Sequence, residues 1–366
     1  MADKIRVGIV GATVTQGGSG WGEHAHVPAL KALPNYELKA VCTSHEDTAK
    51  ASAAAFGAER AFHRFSDMTA APDVDLIVVC VRVPGHRDLV MGGLQAGKAV
   101  FCEWPLGANL AEAKEMADLA SQRSVKSAVG LQARSEPAIL YARDLIKDGY
   151  IGEVLTANLS TVAQAQLQRG PGRIWQGIRA NGANTMTIAG GHAIDALCAV
   201  LGEFAEVSAR VSTRIPEWRT LEGTPVKVDA PDSINVVGRM ASGAEVSVNI
   251  AAVPSNPGGN RLEIYGREGA LVIQAKGALS LGPCQIHAGR GKEPMAAMPV
   301  PSKYKLVPEG TPAGQPYNVA QAYARMADAL RGGPSFEVDF NLAVKRHTLI
   351  DAIERSSATG RSVRLA

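Results

Sequence analysis

Ile5-Arg-Val-Gly8-Ile-Val-Gly11-Ala-Thr13-Val14-Thr-Gln-Gly17-Gly18-Ser-Gly20-Trp-Gly22, followed by His26-Val-Pro-Ala-Leu30, is the stretch on which the reading of the chain turns. A short run, apolar on both faces, ends in a glycine-rich turn and then in a helical pattern. In such a strand–turn–helix, backbone N–H groups and the start of the helix can meet a pyrophosphate, so the stretch predicts a dinucleotide site. The strict G-x-G-x-x-G spacing is broken: Gly11 fits the first position, Thr13 stands at the second, and an insertion delays the third. Gly11, Thr13, Val14 and Gly22 are the candidate contacts, and the alternative at this point is a glycine loop that merely follows a core strand.

Further short runs at 38–42, 76–81, 99–102 and 127–131 are likewise apolar on both faces, as in a parallel sheet covered by helices. Between them lie helical patterns, the clearest at 110–123, where Asn109 with Glu112 makes a capping-box-like start. Strand–helix alternation predicts a doubly wound α/β sheet, a Rossmann domain, over residues 1–131. Its second strand ends in Thr43-Ser44-His45 with no acid before Glu46 to bond the adenosine ribose. That leaves room for a 2′-phosphate, so NAD and NADP are both candidate cofactors, with Thr43, Ser44 and His45 as contacts.

From 132 to 366 the pattern differs. A helix opens at Ser135-Glu-Pro137 and stops at Asp148-Gly149. Longer alternating runs at 153–162, 206–214, 233–241, 245–252, 261–265 and 270–274 follow, with hairpin signals at Ser242-Gly243 and Glu268-Gly269. Strands in this meander order predict an α+β domain with a largely antiparallel open sheet. The Pro/Gly-rich stretch 282–316 reads as a long surface loop, and 315–331 and 342–359 as helices, one of which packs back on the first domain.

The composition narrows the classes. With 46% hydrophobic and 20% charged residues the chain is an ordinary globular one. A net charge of +3 without long Lys/Arg runs excludes an electrostatic footprint for nucleic acid. Neither a signal peptide nor an apolar run of about 18 residues is present, which predicts a cytoplasmic protein off the membrane. The five cysteines form no CxxC pair and the eight histidines are scattered, so no metal site is expected.

Val81-Arg-Val-Pro84-Gly-His86, Phe101-Cys-Glu103-Trp104-Pro105-Leu106 and Gly190-Gly191-His192-Ala-Ile-Asp195 together resemble the Gfo/Idh/MocA oxidoreductase family over essentially the whole chain. Members of that family carry Glu-Lys-Pro where this chain has Glu103-Trp104-Pro105, and often an Asp where it has Ile188. Those departures, with 131–137, 145–152 and 187–195, resemble the branch of the fungal galactose-regulon repressor and its enzyme-like relatives. The resemblance implies cofactor contacts from Val81, Pro84, His86, Glu103, Trp104 and Gln132, with Glu103 on the nicotinamide ribose.

What chemistry survives follows from side-chain properties. Trp104 cannot take a proton, because an indole N–H only donates; it can donate to substrate, stack on a ring or plug the domain interface. Histidine as a residue type has an ordinary pKa suited to accepting and returning a hydroxyl proton, which makes His192 the candidate acid–base. Asp195, on the same helix face, either orients that imidazole or serves helix packing. Arg134 and the polar segment 164–187, with Gln164, Arg173, Trp175, Asn184 and Thr185, suit a polyhydroxylated or ring-bearing small molecule. The expected function is an NAD(P)-dependent dehydrogenase or reductase of a secondary alcohol or ketone on a sugar, glycoside, polyol or similar ring. The alternatives are a cofactor-sensing regulator that turns nothing over and a redox-neutral elimination or hydrolysis. An open sheet face predicts a homodimer or homotetramer.

Overall fold

Strand β1, Ile5–Val10, is buried along most of its length, as a run apolar on both faces requires. It sits inside a six-stranded sheet with β2 (Tyr36–Cys42), β3 (Arg60–Phe62), β4 (Leu76–Val79), β5 (Ala99–Cys102) and β6 (Ser127–Val129). All neighbours are parallel and the order is β3-β2-β1-β4-β5-β6. This is the Rossmann arrangement, in which the strand order reverses between β1 and β4 and opens a crevice at the carboxyl edge. The computed structural model describes residues 4–14 and 20–365.

Helices α1 (Val27–Ala32), α2 (Glu46–Phe56), α3 (Phe65–Ala70), α4 (His86–Gln95) and α5 (Leu110–Gln122) connect these strands. Asn109 Oδ1 accepts from Glu112 N at 3.0 Å, and Glu112 reaches back to Ala108 N at 2.8 Å. The capping box therefore forms, shifted by one residue at its return bond. Arg60–Phe62 is too short to register as an apolar run in the sequence.

In the other part of the chain α6 (Pro137–Lys147) begins after Glu136, whose carboxylate accepts from Ala138 N at 2.6 Å and Ile139 N at 3.1 Å. Next come β7 (Val154–Gln164), α7 (Pro171–Ile174), α8 (Gly191–Leu201) and β8 (Phe204–Ser212). A small hairpin of β9 (Glu217–Arg219) and β10 (Pro225–Lys227) stands apart from the main sheet. β11 (Ser233–Met240), β12 (Glu245–Val253), β13 (Gly259–Gly266) and β14 (Gly269–Ala275) follow, then β15 (Gln285–Arg290), β16 (Ala296–Ala297), α9 (Gln315–Leu330), α10 (Phe340–Thr359) and β17 (Val363–Arg364).

The large sheet has nine strands in the order β16-β15-β14-β13-β7-β12-β11-β8-β17. It is largely antiparallel, but not a simple meander: β7 inserts between β13 and β12 and runs parallel to β12. The stretch 282–316, expected as a surface loop, also differs. β15 pairs with β14 and buries Ile286 and Ala288, an alternation that flanking Gly and Pro conceal in the sequence. One sheet face is buried and the other is polar, as the alternation over residues 245–250 of β12 shows. The outer edge of β8 is closed by α10, where Ser356 and Ser357 accept from Ala209 N and Val211 N at 2.9 and 2.8 Å.

The chain divides into two compact units. The first holds Met1–Leu131, Gly170–Arg173 and Leu306–Lys345; the second holds Gln132–Arg169, Ile174–Lys305 and Arg346–Ala366. Residues 132–366, expected as one domain, are thus interrupted, and α9 belongs to the first unit. No helix among the described residues is long and apolar enough to cross a membrane.

His347 on α10 is buried, and that burial lowers its pKa to about 4. A histidine in an unfolded chain titrates near ~6.5, so between that pH and 4 the unfolded chain binds a proton that the folded one refuses. Stability present at neutral pH is therefore expected to fall by about 3 kcal/mol on acidification to pH 4. Urea unfolding at pH 7 and pH 4 measures it, and His347→Leu is expected to lose less; equal losses would contradict the assignment.

Candidate active site

The carboxyl edge of the six-stranded sheet gathers the residues assigned to the dinucleotide. Gly11 follows β1 at φ +93° and donates its N–H to Cys42 O at 3.1 Å. A Cβ there would collide with the Cys80 carbonyl, so the turn needs glycine. Gly22 is buried, and its Cβ would lie 2.9 Å from Ala12 Cα. Thr13 is half-buried, Val14 is exposed and donates its N–H to Ser52 Oγ at 3.2 Å. Gly17 and Gly18 lie outside the described residues.

At the end of β2, Thr43 Oγ1 bonds His45 O at 3.0 Å and the Thr48 hydroxyl at 2.6 Å, while Ser44 and His45 are exposed. The first acid beyond, Glu46, pairs with Lys50 at 2.7 Å. After β4, Val81 is half-buried and Pro84 exposed. The structure gives His86 a different part from the expected cofactor contact: it is buried, with Nδ1 at 2.9 Å from Pro105 O and Nε2 at 3.1 Å from Val81 O. Burial lowers its pKa against the pull of those carbonyls, and the neutral ring, with its single N–H, donates to one of the two.

Glu103 follows β5. Its Oε1 meets His26 Nε2 at 2.8 Å, and its side chain is 12% exposed. Among the described residues Oε2 of Glu103 accepts no hydrogen bond, which leaves an ionisable acceptor open at the crevice edge. A Cβ on Gly130 would sit 2.6 Å from Glu103 Oε1, so a glycine beside this carboxylate gives it room. Trp104 is buried, at 5% exposure. An obligatory glycine after β1, hydroxyls after β2 and an unspent carboxylate after β5 form a donor and acceptor set that fits a dinucleotide.

In the second unit Gln132 is buried. Arg134 Nε donates to both oxygens of Asp195 at 2.9 Å, and Arg346 Nε approaches Asp195 Oδ1 at 3.3 Å. Arg346 also pairs with Glu203, and its Nη1 lies 2.9 Å from Cys198 Sγ, whose thiol burial pushes up to about 12. Asp195 is fully buried between two guanidinium groups, so it anchors α8 and does not face outward toward substrate. Arg134, expected on the substrate, is committed to that carboxylate. His192 stands half-buried in the first turn of the same helix.

The polar segment separates. Gln164 turns its amide to Pro254 O, and Asn184 Oδ1 accepts from Met186 N at 3.0 Å and Thr187 N at 3.2 Å, capping the turn that leads into α8. Thr185 and Trp175 are half-buried and Arg173 is exposed, in the first unit. Sequence reading missed Trp218, whose ring lies 3.8 Å from the Arg169 guanidinium, itself bonded to Gln176 Oε1 at 3.1 Å. It also missed His26, Gly130 and Arg346.

Residues 5–131 match the pattern of the oxidoreductase family with an NAD-binding Rossmann fold, and residues 137–275 match the C-terminal domain of Gal80p. The dehydrogenase aclE of Aspergillus oryzae is 31% identical over 98% of this chain and 98% of its own. The chain belongs to this NAD-binding oxidoreductase family. It carries that family's NAD-binding Rossmann domain, and its dehydrogenase relatives support an NAD-dependent dehydrogenase. The galactose/lactose metabolism regulatory protein GAL80 of Saccharomyces cerevisiae is 26% identical over 75% of this chain and 67% of its own. A levoglucosan dehydrogenase solved with NADH and L-sorbose shares the fold, at TM-score 0.85 and 22% identity over 100% of this chain and 99% of that one.

In this oxidoreductase the Arg134–Asp195–Arg346 group is a buried charge cluster, and breaking one by removing a partner typically costs about 3–5 kcal/mol. Asp195→Asn is therefore expected to lower the unfolding free energy by about that amount in urea titration. A loss below about 1 kcal/mol would remove the anchoring role.

Proposed function

We propose that the chain interconverts a secondary alcohol and a ketone on a sugar, glycoside, polyol or similar ring compound, with His192 as the group that takes and returns the hydroxyl proton. The observation that carries the reading is the setting of His192. It is half-buried in the first turn of α8, a helix whose next inward-facing acid, Asp195, is locked between Arg134 and Arg346. A helix held this firmly fixes the direction from which the imidazole projects, and proton transfer depends on geometry before pKa. Trp104, which stands where the resembled family carries lysine, donates a hydrogen bond but cannot accept a proton.

Bound NAD supplies the hydride acceptor. Glu103 offers Oε2 to a ribose hydroxyl, Gly11 lets the backbone come close to the pyrophosphate, and Thr43, Ser44 and His45 face the adenosine end. The strand end itself carries hydroxyls and an imidazole in place of a carboxylate, which favours tolerance of NADPH beside NADH. A sugar-like substrate is supported by relatives named levoglucosan dehydrogenase and inositol 2-dehydrogenase. The polar sheet face, with Asn158, Asn235, Ser247, Asn249 and the mixed charges of Arg261 and Glu263, supports a homodimer or homotetramer.

The match of residues 137–275 to the Gal80p domain favours one second reading, a cofactor-sensing regulator without turnover. Titration with NADH and NADPH, then a panel of sugars, glycosides, inositols and cyclic ketones followed at 340 nm, separates the two. Binding with turnover on a panel member is expected; binding without turnover on any supports the regulator. His192→Ala is expected to cut turnover at least ~100-fold while melting like the native chain. Unchanged turnover in that folded variant would remove His192 from the chemistry.

A further inference from the structure

Tyr323, on α9, lies 297 residues beyond His26, yet its hydroxyl meets His26 Nδ1 at 2.7 Å. The opposite nitrogen, Nε2, meets Glu103 Oε1 at 2.8 Å. His26 and Tyr323 are wholly buried and belong, with Glu103, to the first unit. We propose that His26 and Tyr323 are positioning residues that hold the Glu103 carboxylate in one orientation, with Oε2 turned to the ribose of the bound dinucleotide. The proposal rests on the reading above that Glu103 binds the cofactor.

The bonding allows little choice of hydrogen positions. Burial raises the Tyr323 pKa well above its ordinary value, so the phenol stays a donor. His26 Nδ1 is its only hydrogen-bond partner among the described residues, so the hydroxyl donates there. The ring proton then sits on Nε2 and is donated to Glu103, the arrangement in which both ring nitrogens are satisfied. The rings cannot swing. Phe101 stacks edge-on to His26 at 5.5 Å and 81°, and Tyr36 donates its hydroxyl to the Tyr323 carbonyl at 2.8 Å. On its other side Gly130, by lacking a side chain, leaves the Glu103 carboxylate its place.

The row holds a group in place; it does not move protons. It ends on a fully buried phenol with no onward partner, so a proton arriving at Glu103 has no exit through it. An apolar trio of the same volume would stabilise the fold as well, since a buried polar row brings little net stability. What the polar row adds is direction at Glu103 Oε2.

The test is a double-mutant cycle on NADH affinity, read by fluorescence titration of the full chain. Tyr323→Phe keeps the ring and removes only the hydroxyl. It is expected to weaken NADH about 3–10-fold, the range of one lost neutral hydrogen bond. Glu103→Gln is expected to weaken it at least as much, and the double variant no further than Glu103→Gln alone. Losses that multiply in the double variant, or an unchanged affinity in Tyr323→Phe beside a weakened Glu103→Gln, would overturn the positioning role. Unchanged affinity in Glu103→Gln would instead remove the cofactor role of Glu103, and the proposal with it. Should Tyr323→Phe fail to give a cooperative melt, His26→Gln takes its place in the cycle with the same readings.

Discussion

The hydrogen-bonded row Tyr323–His26–Glu103 ties together three parts of the chain that are remote in sequence: the first helix, the loop after β5 and the late helix α9. A parallel sheet delivers its loops to one edge, but it does not by itself decide which way a side chain on such a loop points. Here a buried imidazole makes that choice for Glu103, and a buried phenol makes it for the imidazole. The first unit is therefore completed only when α9 has been added, and residues 306–345 group with it accordingly. Gly11 and Gly130 act in the opposite sense, by withholding side chains where a ligand or a carboxylate needs the space.

The second unit solves a similar problem with charge. Asp195 sits without solvent between Arg134 and Arg346, and the latter reaches on to Glu203. Such a cluster is costly to desolvate and adds little net stability, but each partner becomes indispensable once the others are buried. Its consequence is local rigidity at the start of α8, where His192 stands. The departures from the family's usual pattern, Trp104 and Ile188, fall at positions that would otherwise bear proton-transfer or polar groups. In the proposed reaction they leave His192 as the acid–base group.

Much of this architecture is legible in the sequence. The short runs that are apolar on both faces imply a covered parallel sheet, and Asn109, Pro137 and Gly149 mark helix ends where the chain has them. The polar face of the nine-stranded sheet follows from alternation along β12. What resists reading is pairing across distance. Nothing local distinguishes His26 from an ordinary core histidine, or Tyr323 from one more apolar-face residue of a helix. Arg134 reads as a free cation until Asp195 is seen against it, and Asn184 as a ligand contact until its carbonyl is found capping a turn. Burial of polar groups depends on partners, and partners are a property of the fold. β15 is hidden for another reason: Gly and Pro around it outweigh a four-residue alternation.

The central claim is that bound NADH reacts and is not merely sensed. A single-turnover reaction with NADH carrying deuterium at C4, run with a ketone from the sugar and inositol panel and analysed by mass spectrometry and NMR, tests it directly. One deuterium is expected on the carbinol carbon of the product, appearing in step with the loss of absorbance at 340 nm. Saturated NADH that transfers no label to any ketone of the panel would contradict it.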